Sequence, residues 1–274
     1  MLRVCAAAIV VASASFAFGS QIESFTEPYR KIDIGPAEPG TLAIIPVQEG
    51  DRVAKGQIVA ELENEMLQVS LEIAAATMDA HGRLESAVAE RDLRRARLIK
   101  LNELREREHA SQEEVERAAT DLAIAEANVL AAQEQQIIAR LEHKKTAAMI
   151  ERRIMRSPID AVVTRIYHEE REFVAASAPT VLTLVQLDPL RVVFSVPTPE
   201  AVMMKVGQKV PLSFLETGQS AVGRVELVAP VTEAESGTVR VKVLLDNPRG
   251  AYRCGARCAL DLPDGPVTFN VPKR

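Results

Sequence analysis

The sequence predicts a mixed α and β protein, elongated and built from several modules, with a long antiparallel helical hairpin set between β segments. Three observations carry this. None of the 15 prolines lies between Pro46 and Pro158, and Gly82 is the only glycine from Gln57 to Val206. Both helix breakers are thus missing from the middle and crowd the flanks. Residues 66–153 hold 16 acids and 14 bases, a mixed-charge density that suits a long solvated helix laced with close ion pairs. The flanks carry β-branched runs cut by turn residues at short intervals.

Composition bounds the function. The chain has 274 residues, is 47% hydrophobic and carries a net charge of −5. That is enough apolar material for a core and excludes wholesale disorder. Aromatics are only 4% and Trp is absent, which with the acidic balance argues against a nucleic-acid partner.

Met1–Ser20 reads MLRVCAAAIVVASASFAFGS. One Arg, an apolar run and small residues at its end make a cleavable signal peptide, with cleavage after Gly19 or Ser20. A retained anchor is the alternative, but the run falls short of the roughly 20 apolar residues a span needs.

Gly40 to Leu62 reads GTLAIIPVQEGDRVAKGQIVAEL. Gly50-Asp51 and Lys55-Gly56 are turn signals between short strands. In the helical zone, Val115, Ala118, Leu122, Ala125, Val129 and Ala132 alternate spacings of three and four. That is a heptad seam, and its alanines suit closely packed helices. Leu84, Ala87, Leu98 and Leu101 fall on a compatible stripe in the first half. Between the halves, Ser111 with Glu114 three residues on is a capping box, which starts a new helix there. Two arms of about 40 residues would each be about 60 Å long; a single unbroken helix would reach about 130 Å. The run Arg94-Arg95-Ala96-Arg97 has Glu90, Asp92 and Glu103 beside it, so it reads as a solvated face.

After the helices, Ser157–Thr164 and Thr180–Val185 resume the β pattern. From Leu190 onward it repeats with regular turns, as a small barrel or sandwich does. Cys254 and Cys258 sit in RCGARC. In extended chain they would stand about 13 Å apart, beyond disulfide reach, whereas a turn at Gly255 would bring them closer; paired and free states both stay open. Without a nearby His they make a poor metal site.

The segment GTLAIIPVQEGDRVAKGQIVAELENE resembles the first half of a lipoyl or biotinyl sandwich, and RSPIDAVVTRIYHEEREFV with LTLVQLDPLRVVFSVP resembles the second. SGTVRVKVLLDNPRGAYRCGARCAL is similar to an appended β-barrel. Two half-motifs split by a hairpin, then a barrel, is the arrangement of the periplasmic adaptor family, the membrane fusion proteins that include HlyD-type and RND efflux adaptors.

The resemblance implies a lipoyl-like barrel-sandwich hybrid interrupted by a coiled-coil hairpin and followed by a small antiparallel β-barrel. The implied modules are a signal peptide over 1–20, a lead and first half-sandwich over 21–65, and the hairpin over 66–153. The second half-sandwich follows over 154–188, then the barrel over 189–265 and a short tail over 266–274. Implied turn residues are Gly40, Gly50, Gly56, Asp160 and Gly255. The family has Gly after Asp160, where this chain has Ala161, and a second Gly near Arg171. Both turns are therefore expected to use residues that tolerate the geometry less well. Many pump adaptors continue into a membrane-proximal domain where this sequence reaches Val271–Arg274, so the resemblance does not extend to how the chain docks on a transporter.

The family's hairpin tip carries Arg, three residues, Leu, six residues, Ser, and engages an outer-membrane channel. Here Leu104 and Ser111 stand at that spacing, and Lys100 replaces the Arg, keeping the charge without the bidentate fork. From the residues alone, Leu104 reads equally as a seam leucine and Ser111 as a helix cap.

A lipoyl or biotin carrier needs a Lys at its hairpin tip, and Leu62–Met66 offers none. His81, His109, His143 and His168 are scattered, with no metal-ligand spacing. No phosphate loop or nucleophile elbow appears. The expectation is a periplasmic, non-enzymatic adaptor with no cofactor or metal, self-associating into a ring. Its partners would be an inner-membrane transporter, RND in preference to ABC, and a TolC-type channel. An adaptor for an ABC exporter or type I secretion is the alternative, ahead of a carrier domain or a plain structural coiled coil.

Overall fold

The computed structural model describes residues 21–261. The expected signal peptide, the tail from 266 and the last barrel residues from 262 lie outside that range. In chain order the elements are β1 (Gln21–Ile34), β2 (Gly40–Ile44), β3 (Arg52–Val53), β4 (Ile58–Leu62), α1 (Glu65–Met78), α2 (Gly82–Glu106), α3 (Gln112–Glu151), β5 (Ile154–Arg156), β6 (Ala161–Ile166), β7 (Phe173–Val174), β8 (Leu182–Pro197), the single turn α4 (Thr198–Ala201), β9 (Lys209–Phe214), β10 (Ser220–Glu233), β11 (Thr238–Leu245) and β12 (Arg257–Asp261). They form two compact units, one of residues 33–158 with 165–182, the other of 21–32, 159–164 and 183–261.

The first unit holds the sandwich strands and the hairpin. Its sheet runs β5-β4-β2-β7. β2 and β4 come before the helices in sequence, and β5 and β7 come after them. β4 pairs antiparallel with β5, Glu61 opposite Ile154, and Leu62 N–H donates to the Arg153 carbonyl at 2.9 Å. The helices therefore occupy the place of an ordinary turn between two adjacent strands. Arg153 fastens this junction: its Nε donates to Glu38 Oε1 at 2.8 Å and its Nη1 to the Glu63 carbonyl. Leu42, Val59, Leu62, Val174 and Val181 are fully buried among these strands.

α1 and α2 both pack along α3. At 40 residues α3 is about 60 Å long. Its buried positions are Val115, Ala118, Ala125, Val129, Ala132 and Ala139, with Leu122 half-buried. The three-and-four spacing thus faces the partner helices, and its alanines let the backbones approach. Contacts across the pair step outward from the turn: Arg105 to Gln112, then Arg95 to Glu126, then His81 to Gln136. That order is antiparallel. The ascending arm is not one helix, as expected from the sequence, but two, broken at Asp79–His81, and Gly82 opens the second.

The second unit is a closed barrel. Its strands run β1-β12-β9-β10-β11-β8, and β8 pairs back to β1. β6 lies beside β8. Alternate residues point inward with period two: Leu190, Val192, Phe194 and Val196 on β8, Val239, Val241, Val243 and Leu245 on β11. Phe214 stacks on Tyr252 with ring centroids 4.7 Å apart. Asn247 is buried and fully bonded. Its amide nitrogen donates to the Leu187 and Tyr252 carbonyls, and its Oδ1 accepts from Tyr252 N–H. The lead expected before the sandwich is thus largely β1, a barrel strand: Gln21 stands opposite Asp261, and Ser24 Oγ donates to the Val193 carbonyl at 2.7 Å.

Candidate functional site at the hairpin tip

α2 ends in a Schellman motif. His109 N–H reaches back to the Leu104 carbonyl at 2.9 Å and Glu108 N–H to the Arg105 carbonyl at 2.9 Å. Such an ending places one residue in left-handed backbone, normally Gly. Here it is Glu108, at φ 58°. The cap of the next helix, Ser111, stands two residues after His109. Ser111 Oγ accepts from Glu114 N–H at 3.2 Å, and Glu114 Oε2 accepts from Ser111 N–H at 2.8 Å. The Ser111 N–H bond, and after it the bond that the Ser111 hydroxyl donates to Oε2 at 2.9 Å, hold the Glu114 carboxyl below its ordinary range. Across the turn Arg105 Nη1 donates to Gln112 Oε1 at 2.7 Å, and Arg117 pairs with Glu113 at 2.9 Å.

The three expected tip residues converge on this turn. Ser111 is exposed and caps α3. Leu104 is half-buried and supplies the carbonyl that closes α2. Lys100 is exposed one helical turn before Leu104, on the same face. Glu108 has no sequence signal, because a Schellman ending is read from a Gly that this turn lacks.

Among the expected turn residues, Gly50, Gly56 and Gly255 have left-handed backbone, with φ of 97°, 86° and 86°. Gly40 opens β2 without it, and there a Cβ would crowd Leu62 Cδ1 at 3.1 Å. The expectation of a strained turn at Asp160-Ala161 is not met. Neither residue has positive φ, and Ala161 is simply the first, buried residue of β6, where extended backbone suits any side chain. Arg171 does carry the strain, at φ 67°. Its loop is pinned: Arg171 N–H donates to the Leu42 carbonyl at 2.8 Å, and Ile45 N–H to Glu170 Oε1 at 3.1 Å. Glu172 accepts from Glu169 N–H and lies 2.9 Å from His168 Nδ1, which together lower its pKa. Substituting Arg171→Gly should relieve the left-handed cost and raise stability by roughly 0.5–1 kcal/mol, read as a higher melting temperature by circular dichroism.

Cys254 and Cys258 are both free. Cys258 is buried inside the barrel, and burial pushes its thiol up to about 11. Among the described residues no group of His, Cys, Asp and Glu could hold a metal ion, and no helix is long and apolar enough to cross a membrane.

Residues 190–264 match the model of the CusB-like β-barrel domain. The macrolide export protein MacA of Escherichia coli O157:H7 is 26% identical over 253 residues, covering 89% of this chain and 68% of its own. A crystal structure of MacA from Actinobacillus actinomycetemcomitans superposes with a TM-score of 0.75 at 20% identity, over 90% of this chain and 79% of that one. The chain thus carries a CusB-like barrel and is similar along most of its length to MacA, sharing the fold of that protein. The chain is also 23% identical to the cobalt-zinc-cadmium resistance protein CzcB of Cupriavidus metallidurans, over 83% of this chain and 41% of that protein.

Proposed function

We propose that this adaptor is the periplasmic subunit of a tripartite efflux pump. It would join an inner-membrane transporter to an outer-membrane channel of TolC type, exported there by a cleavable signal. The observation that carries the reading is the inserted hairpin. A sandwich that carries no exposed Lys at its open turn has that turn replaced by a capped helical spacer, so the module is built to reach a partner and not to hold a prosthetic group. Lys100, Leu104 and Ser111 are the channel contact. Ile124, Leu130, Ile137, Ile138 and Leu141 are exposed on α3, away from its seam. That apolar face supports lateral packing with further copies, as a ring requires. Of the two motor classes, the RND type is favoured by the match of the barrel to the CusB-like domain. Catalysis has no place in this reading; energy comes from the transporter.

The test is Ser111→Arg. Arg cannot accept from Glu114 N–H, which costs the cap about 1 kcal/mol, and it adds bulk and charge at the contact. The variant should fold, by circular dichroism, yet fail to cross-link to the channel in cells and fail to restore export. Undiminished cross-linking would refute the tip assignment.

A further inference from the structure

Glu108 stands where folding gains nothing from it. Its φ of 58° is left-handed, a conformation that costs a side chain with a Cβ and costs Gly nothing. It also follows directly on the C-terminus of α2, where the helix dipole favours a cation and disfavours an acid. Its neighbour Arg107 suits that dipole, so Arg107 has a reason in the fold and Glu108 has none. At the turn Arg105 is tied to Gln112, Gln112 to Glu116, Glu113 to Arg117 and Glu114 to Ser111, while Glu106, Arg107 and His109 make no such side-chain pair among the described residues. Glu108 is exposed and has no such side-chain partner among the described residues. The backbone that displays it is held from both sides, by the Schellman bonds before it and the capping box after it. A local rule broken twice, on a rigid support at the apex of a hairpin, marks a residue kept for something other than folding.

We propose that Glu108 is a docking residue, held out by the tip to meet an Arg or Lys side chain on the outer-membrane channel. This rests on the adaptor reading above. The partner is cationic because the displayed group is a carboxylate on a pre-ordered turn, which loses little freedom on pairing.

The experiment uses the full-length chain and the source cell's TolC-type channel, purified in detergent and immobilised. Glu108→Gln keeps the shape and the backbone cost and removes the charge. It should weaken capture about fivefold at low ionic strength, and the difference should vanish at high salt. Glu108→Gly should raise the melting temperature while weakening capture to the same degree. A residue that served only the turn would leave capture unchanged in both variants, and that result overturns the proposal. Ser111→Arg separates the two readings. If it abolishes capture while Glu108→Gln binds like the wild type, only the role of Glu108 falls. If the wild type is not captured, or Ser111→Arg still is, the tip reading itself fails and takes Glu108 with it.

Discussion

Replacing residues 63–152 by an Asn-Gly turn should leave a folded protein that has lost every trace of channel capture. The junction makes this geometrically reasonable. Leu62 and Arg153 already face each other across an antiparallel pair, with the Leu62 N–H bonded to the Arg153 carbonyl at 2.9 Å. That is how the residues flanking a two-residue hairpin turn are disposed, and Asn-Gly supplies the left-handed backbone such a turn needs. The hairpin takes little from the strands. No residue of α1 is buried, and the ion pair from Glu151 to Arg156, both largely exposed, is of a kind worth at most about 1 kcal/mol. Circular dichroism should show the helical signal gone and the β signal kept. The shortened chain should restore no export and should form no cross-link to the channel. A shortened chain that fails to fold would mean that α1–α3 are part of the sandwich core, contrary to the register described.

The largest stability effect should come from Phe194→Ala. Phe194 is 0% exposed in the C-terminal half of β8, with Val241 opposite it on β11. Removing its ring leaves a cavity that strands on a closed barrel cannot collapse to fill, at a cost of about 3–5 kcal/mol. Domains of this size are typically stable by about 5–15 kcal/mol, so this one change removes a large fraction. Thermal melting of the variant should show the barrel transition displaced downward by many degrees. Phe194→Leu, which keeps most of the volume, should recover more than half of the loss. Equal losses for Ala and Leu would place the ring's contribution in something other than filled space.

How much could be read in advance depended on how local the cause was. The seam of α3 was legible because a helix repeats its buried face every three or four residues, and five of the six positions marked from spacing are buried outright. Ser111 was legible for the same reason, since a capping box spans three residues. Glu108 was not, because its left-handed turn is enforced by the ends of two helices and by no residue preference of its own. The break at Asp79–His81 was equally hidden: one Gly in a charged run is tolerated inside helices. Gly35 shows the other limit. A Cβ there would lie 2.0 Å from the Pro179 carbonyl oxygen, a contact between positions far apart in sequence that no local pattern records. Residues 21–34 were read only as a lead before the sandwich, and membership of β1 in the barrel was not legible, since both of its neighbours, β8 and β12, come from the far half of the sequence.

That last placement has a consequence in time. A chain that leaves a ribosome or crosses a membrane amino end first delivers β1 early, and the first strand able to pair with it, β8, begins at Leu182. The second, β12, is the last strand described and sets Asp261 against Gln21. Everything between, the whole hairpin included, must be delivered before the barrel can shut. Pairings this distant in sequence form slowly, and a half-finished barrel exposes strand edges that invite wrong partners. Among the described residues the barrel thus supplies both the first strand and the last, and its closure waits on β12.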